Sequence, residues 1–209
     1  MRCQWLGKES AIVANLATVY AQATDTDIIA GMRWYPVARK IVREWSEHYG
    51  YSTDTVACVI AAISPQVDWE RNLITADDVL ADRAISIGGA LPTNVSKARR
   101  ILSDHATSTL EYFPHGPKVA SFALNLAGND TAVTIDGHAI QAALDDVTST
   151  VTLRWTPYMI FAGAYECAAR KAGHSNSDFQ AIVWVTWKRL HPKADKLRQR
   201  TQWSAIGEF

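Results

Sequence analysis

Cysteine is scarce in this chain of 209 residues: Cys3, Cys58 and Cys167 are the only three. They are odd in number and far apart, and no Cys-x-x-Cys pair occurs. That excludes a zinc ribbon and an iron–sulfur cluster. Cys58 and Cys167 lie in apolar helical patterns, where a thiol behaves as a small core hydrophobe, and a reducing cytosol is the compartment they suit. The six histidines show no metal-ligand spacing, so no metal is expected. Net charge is also absent, with 21 Lys and Arg against 21 Asp and Glu. A binder that works through a bulk positive field is thereby excluded, which leaves room only for a local basic patch. No run of 18 apolar residues occurs, so no membrane span is expected. The opening "MRCQWLGKES" lacks the apolar region of a signal peptide. Internal repeats, low-complexity tracts and clear linkers are missing as well.

What is present is apolar spacing at helical period. Ile12, Leu16, Val19 and Ala23 make one stripe. Trp34, Val37, Ala38, Ile41, Trp45 and Tyr49 make a second, with Pro36 read as lying near the helix start. Val56, Val59, Ile60 and Ile63 make a third, opened by the cap-like "STDT" at Ser52–Thr55. After a break at Pro65, "VDWERNLITADDVL" resumes a helix to about Leu80. "ISIGGALPT" is a loop punctuated by Gly88, Gly89 and Pro92. Thr93 or Asn94 is the expected cap of the helix that follows.

A short helix is expected over Ser108 to Phe113, then a turn at "HGP", then a helix from Pro117 to about Ala127, with proline at its first position. Ala132–Ile135 reads as extended coil. Val147–Thr156 reads either as a strand pair or as an irregular connection. Pro157 opens a long apolar helix, and Phe179, Ile182, Val183, Thr186, Trp187 and Leu190 mark the last stripe. The basic tail is expected to be helical after Pro192. The chain is therefore predicted to be all-α: one domain, with flanking helices over 8–49 and 157–200 packed on a core over about 52–145. Most of the eight tryptophans fall at core-compatible positions, Trp69 and Trp203 being the exceptions.

Two residues raise a chemical question. Lys118 stands in the first turn of one predicted helix, and Asp136 stands at the mouth of the next, 18 positions later. An ammonium in a first turn faces the positive end of the helix dipole, which favours the free amine and suits a nucleophile. A lone carboxylate at a helix mouth is either a cap or an electrostatic and acid–base group, or both at once. Lys97, Arg99 and Arg100 form a compact basic run on one predicted helix. The plainer readings are a solvated helix lysine at Lys118, a turn residue at Gln66, a solvated basic face at Lys97–Arg100 and a core histidine at His138.

The order of segments resembles a known superfamily. "AAISPQVDWERNLITA" resembles the "LLSAQ…N…A" helix junction of the helix-hairpin-helix DNA glycosylases of the endonuclease III-like (HhH-GPD) type. "NVSKARRIL" is similar to their "NKAxxI" helix, "FPHGPKVASFALNL" to their "LPGVGxKTAxxxL" hairpin, and "AVTIDGHAIQAAL" to their "xxVDTHVxRV". The four follow the family's order over roughly Val56 to Leu144. The resemblance implies a helical glycosylase-like fold acting on double-stranded DNA, as a monomer and without cofactor or metal. It implies Lys118 as the amine that attacks C1′ of a flipped nucleotide, and Asp136 as the obligatory carboxylate. Gln66 would fill the vacated base position. Asn72, Lys97, Arg99, Arg100, His115 and Gly116 would join it in contacting DNA.

The chain departs from the pattern in having "HGPK", with one glycine where the family has two, and "IDGH" for "VDTH". Its look is similar to phage-encoded relatives, some of which decorate DNA bases rather than remove them; for such a chain the compartment is the bacterial host cytoplasm. The implied activity is base excision, with lyase chemistry through Lys118. The alternatives are transfer onto a hydroxymethylated pyrimidine and non-catalytic DNA binding.

Overall fold

The helices of this chain follow from caps and stripes that the residues themselves set. Thr24 accepts a hydrogen bond from the Asp27 amide while the Asp27 carboxylate accepts from the Thr24 amide, a capping box that opens α2 (Asp25–Tyr49). Ser52 caps α3 (Thr53–Ile63), Asp68 caps α4 (Trp69–Leu80) and Ser175 caps α10 (Asn176–Leu190) in the same way. α1 (Glu9–Tyr20) precedes them. Between them run α5 (Pro92–Ser103), the single turn α6 (Thr109–Tyr112), α7 (Pro117–Leu126), α8 (Gly137–Leu144) and α9 (Trp155–Ala172). The computed structural model describes residues 7–103 and 109–192, and the side chains of Thr109 and Leu110 are left aside. The expected tail helix, Ser108 and Trp203 lie outside these residues. Among the described residues the fold is all-helical, with no strand.

Several expectations are corrected at element ends. Pro36 is not near a helix start: α2 begins at its capping box, eleven residues earlier, and Pro36 sits inside it. The proline is exposed, as is Met32, so the carbonyl it leaves without an amide faces water. α5 begins at Pro92 rather than after a cap at Thr93 or Asn94, because proline is pre-set for the first helical position. α9 begins at Trp155, two residues before Pro157. Val147–Thr156 contains no strand, so its irregular reading is the one observed.

Two apolar clusters fill the interior. Every residue of α3 from Val56 to Ile63 is buried, so α3 is a central helix apolar on all sides, packed by α2, α4, α5 and α7. The second cluster joins α1, α8, α9 and α10 around Phe161, Tyr165, Phe179 and Trp187. The long α2 links them by lying along α10. Gly31 makes this possible. A Cβ there would stand 2.6 Å from the backbone of Ile182, so only glycine permits the approach. Arg189 of α10 then donates to Asp27 of α2 (2.8 Å), and Tyr35 of α2 donates to Gln180 of α10 (3.0 Å). α7, which follows the hairpin, packs on α2, and α8, which Asp136 opens, packs on α10.

Candidate functional site

The turn Pro114–His115–Gly116 leads into α7, with Pro117 at its first position. Phe113 is buried beneath the turn, and the indole of Trp155, at the start of α9, donates to the Pro114 carbonyl (2.7 Å). The turn is thus pinned from two sides. Gly116 has φ of −117°, and a Cβ there would make only ordinary contacts, with Val119 and Phe113. Neither strain nor crowding inside the protein requires this glycine. His115 is exposed and Lys118 half-buried, and among the described residues the Lys118 amine has no ion-pair partner.

Helical geometry splits the basic run of α5. Residues three apart are neighbours on a helix, whereas residues two apart point to opposite sides. Lys97 lies over the Phe113 ring (4.9 Å), which brings it to the hairpin. Arg100 is exposed on the same side. Burial first, and then the Arg100 charge, pulls the Lys97 ammonium below the usual lysine range. Arg99 points the other way. It pairs with Asp82 (2.9 Å) and also donates to the Arg83 carbonyl, tying α5 to the connection after α4. The compact basic run is thus divided: Lys97 and Arg100 share the hairpin side, and Arg99 is tied to the connection after α4.

Gln66 is exposed in the turn between α3 and α4, with φ of +66°, a left-handed backbone that non-glycine residues rarely adopt. Three residues on, Trp69 packs against Trp34 (5.5 Å) and Phe122 (6.3 Å), and Phe122 lies one turn beyond Lys118 on α7. Asn72 does not join this surface. It is 1% exposed, so direct contact between its side chain and DNA is ruled out by burial.

Asp136 is held more tightly than its neighbours in sequence would suggest. The connection from α7 to α8 is extended, and its polar backbone is satisfied from inside. The buried Asn125 side chain donates to the carbonyls of Asn129 and Ala132 and accepts from the Thr134 hydroxyl (2.8 Å). The Tyr158 hydroxyl donates to the Val133 carbonyl (2.6 Å) and accepts from the Ile135 amide (2.9 Å). Asp136 then caps α8, accepting from the Ala139 amide on one oxygen (2.8 Å) and from the Trp184 indole of α10 on the other (2.9 Å). It is half-buried, and among the described residues no cation is paired with it.

Phenols share its surroundings. Burial pushes Tyr158 up to about 12, with the Asp136 charge adding to the rise. Tyr35 and Tyr165 are raised further, again by burial first, and both feel the same charge. All three are therefore neutral hydrogen-bond donors at neutral pH.

Sequence reasoning singled out Lys118, Asp136, Gln66 and the hairpin. It passed over Trp184, Tyr158 and Tyr35, which sit in apolar helical segments with no motif around them, and Asn125, which sits near the end of the hairpin segment at a position the resemblance gives no role. Asp136 and Lys118 make no ion pair with each other. Tyr158, which holds the connection leading to Asp136, also interacts through its hydroxyl with Ser121, one turn beyond Lys118. No group of three or more metal-ligating side chains occurs among the described residues. No helix among them is long and apolar enough to cross a membrane. A model for a family of unknown function (DUF7178) matches residues 5–191. No curated protein and no solved structure matches the chain.

Proposed function

This chain belongs to the DUF7178 family, and we propose that it is a DNA base-processing enzyme that flips a nucleotide and excises a modified or damaged base. The observation that carries this reading is the Asp136 carboxylate: half-buried at a helix mouth, fixed by an amide and an indole, near neutral phenols, and without a paired cation among the described residues. A preorganised negative charge of this kind suits a reaction in which positive charge develops on the ligand, as it does on a deoxyribose whose base is leaving. Lys97, with Arg100 on the same side of α5, and His115 and Lys118 on either side of Gly116 supply a local positive surface for phosphates on an otherwise neutral chain.

In the excision reaction the bond from C1′ to the base nitrogen breaks, and its electron pair leaves with the base. Attack by water yields an abasic sugar. Attack by the Lys118 amine, with loss of a proton to the carboxylate or to water, forms a C1′–N bond; the sugar ring then opens at C1′–O4′, a proton goes to O4′, and an imine joined to the DNA results. Borohydride reduction in the presence of modified-base duplexes is expected to trap the wild-type chain on DNA and to leave Lys118→Ala untrapped. Asp136→Asn is expected to lose base release by about a hundredfold or more, as removal of one preorganised charge-stabilising group does elsewhere. An intact base in every duplex, with no trapped species, overturns the excision reading.

The single glycine of the hairpin favours a second reading, transfer of a group onto a flipped hydroxymethylated pyrimidine. Nucleoside mass analysis separates the two readings: a lost base marks excision, an added mass marks transfer.

A further inference from the structure

The carboxylate of Asp136 is shared between two jobs. Oδ1 caps α8 through the Ala139 amide, whereas Oδ2 is held by a residue 48 positions away, the Trp184 indole (2.9 Å). A cap needs only one oxygen. The second contact therefore serves something other than the start of α8.

Trp184 is itself fixed by two charged or polar rings and chains. The His138 imidazole meets its ring edge-on at 5.7 Å, and the Lys188 ammonium lies over its face at 4.3 Å. Lys188, one turn further along α10, is only 9% exposed, so this cation–π contact forms largely out of water, where such contacts are strongest. His138 in turn is bonded to Gln141 (3.3 Å), and Gln141 also takes the indole of Trp187 and donates to the Val147 carbonyl. The indole N–H aimed at Asp136 thus belongs to a ring with little freedom to turn.

We infer that Trp184 is a positioning residue: its indole N–H fixes the direction of the Asp136 carboxylate, while Lys188 and His138 fix the ring. The inference rests on the reading of Asp136 as the working carboxylate. An N-cap alone restrains a carboxylate through one oxygen and lets the group turn over about the bond to Cβ and exchange one oxygen for the other, whereas the indole holds the second oxygen as well. A charge aimed in one direction stabilises a developing cation better than one that averages over several, since no reorganisation is left for the moment of reaction. The contribution then falls on the chemical step and not on DNA binding, because Trp184 lies on α10 and the basic hairpin side is built from α5 and α7.

Two measurements test this. The first needs no substrate. The Trp184 indole signal in a proton–nitrogen correlation spectrum is assigned by its disappearance in Trp184→Phe. Its exchange with solvent is expected to be slow in the intact chain and about tenfold faster in Asp136→Ala, as expected when a protecting hydrogen bond to a charged group is lost. His138→Gln, which leaves Asp136 in place, is expected to keep the signal protected. Equal exchange with and without the carboxylate overturns the inference.

The second compares kinetics on the duplex that the wild type processes. Trp184→Phe keeps an aromatic ring for Lys188 and His138 and removes the N–H together with the five-membered part of the indole; because Trp184 is only half-buried, the fold is expected to survive, as checked by an unchanged melting temperature. The maximal rate is expected to fall about tenfold while the half-saturating DNA concentration moves less than about twofold, the pattern of a contact realised in the transition state. An unchanged rate, or a loss confined to DNA affinity, overturns the inference. A wild-type chain that leaves every duplex intact defeats the excision reading instead, and the exchange measurement then decides the role of Trp184 by itself.

Discussion

Asp136 shows how far one position can be read locally. An Asp-Gly pair before an apolar run predicts an N-cap, and the cap is observed. The side chains that aim its backbone were unreadable, because they arrive from far along the chain. Tyr158 is one of them, serving as donor to the Val133 carbonyl and acceptor from the Ile135 amide. In Tyr158→Phe both backbone groups stay buried and lose their partner. We expect a loss of about 1–3 kcal/mol from each orphaned group, tempered by whatever relaxation admits water. Chemical denaturation monitored by tryptophan fluorescence measures it; a change under about 0.5 kcal/mol would show that the connection is held by other contacts. Asn72 teaches the converse. Its match to the family's junction motif implied a DNA contact, but its place on the inner side of α4 put it out of reach.

At the scale of elements, α5 turns a run of basic residues into two different surfaces. Sequence adjacency made Lys97, Arg99 and Arg100 look like one patch, and the 3.6-residue period separates them. Lys97→Ala and Arg100→Ala are each expected to weaken DNA binding and to reduce the slope of log affinity against log salt by about one. Arg99→Ala is expected to leave that slope nearly unchanged, since its guanidinium is engaged with Asp82 and the Arg83 carbonyl. A fluorescence titration of labelled duplex over a salt series distinguishes the three. Slopes equal to that of the wild type in all three would show that α5 does not face DNA. The same element-scale logic explains the corrected helix starts. Apolar stripes locate the middles of helices well, but a cap belongs to whichever polar residue the local backbone turns inward, and Thr24 did this twelve residues ahead of Pro36.

At the scale of the whole molecule, three carboxylates hold distant parts together. Asp27 ties α2 to α10 through Arg189, Asp130 ties the connection after α7 to Arg39 of α2, and Asp78 holds the connection after α4 through Ser86 and Arg83. Burial acts to raise Asp27 and Asp130, but the hydrogen bonds from Thr24 and Arg189, and from Arg39 and Ser177, outweigh it and hold both below the usual carboxylate range. Asp78 is lowered chiefly by the Ser86 hydroxyl and amide. Because the folded values lie below the unfolded ones, the stability these groups contribute is complete above the unfolded value of about 3.9 and is lost as pH falls through the folded values. The urea midpoint is therefore expected to hold from about pH 7 to pH 5 and to drop steeply below about pH 4. Asp27→Asn should lower the midpoint at neutral pH and flatten the acid drop. A midpoint that rises on acidification would contradict the assigned directions.

The amino-acid sequence by itself determined that this chain is helical, where most helices run, and that a lysine and a carboxylate stand at two successive helix mouths. These are consequences of period, cap and proline position, all of which act within a few residues. Tertiary structure alone decided which of the chemically promising groups reach the surface, which are spent on internal ties, and that an indole from the last described helix closes on Asp136. Such contacts join residues tens of positions apart. They depend on how α2 lies against α10 over Gly31, a close approach written in no local pattern.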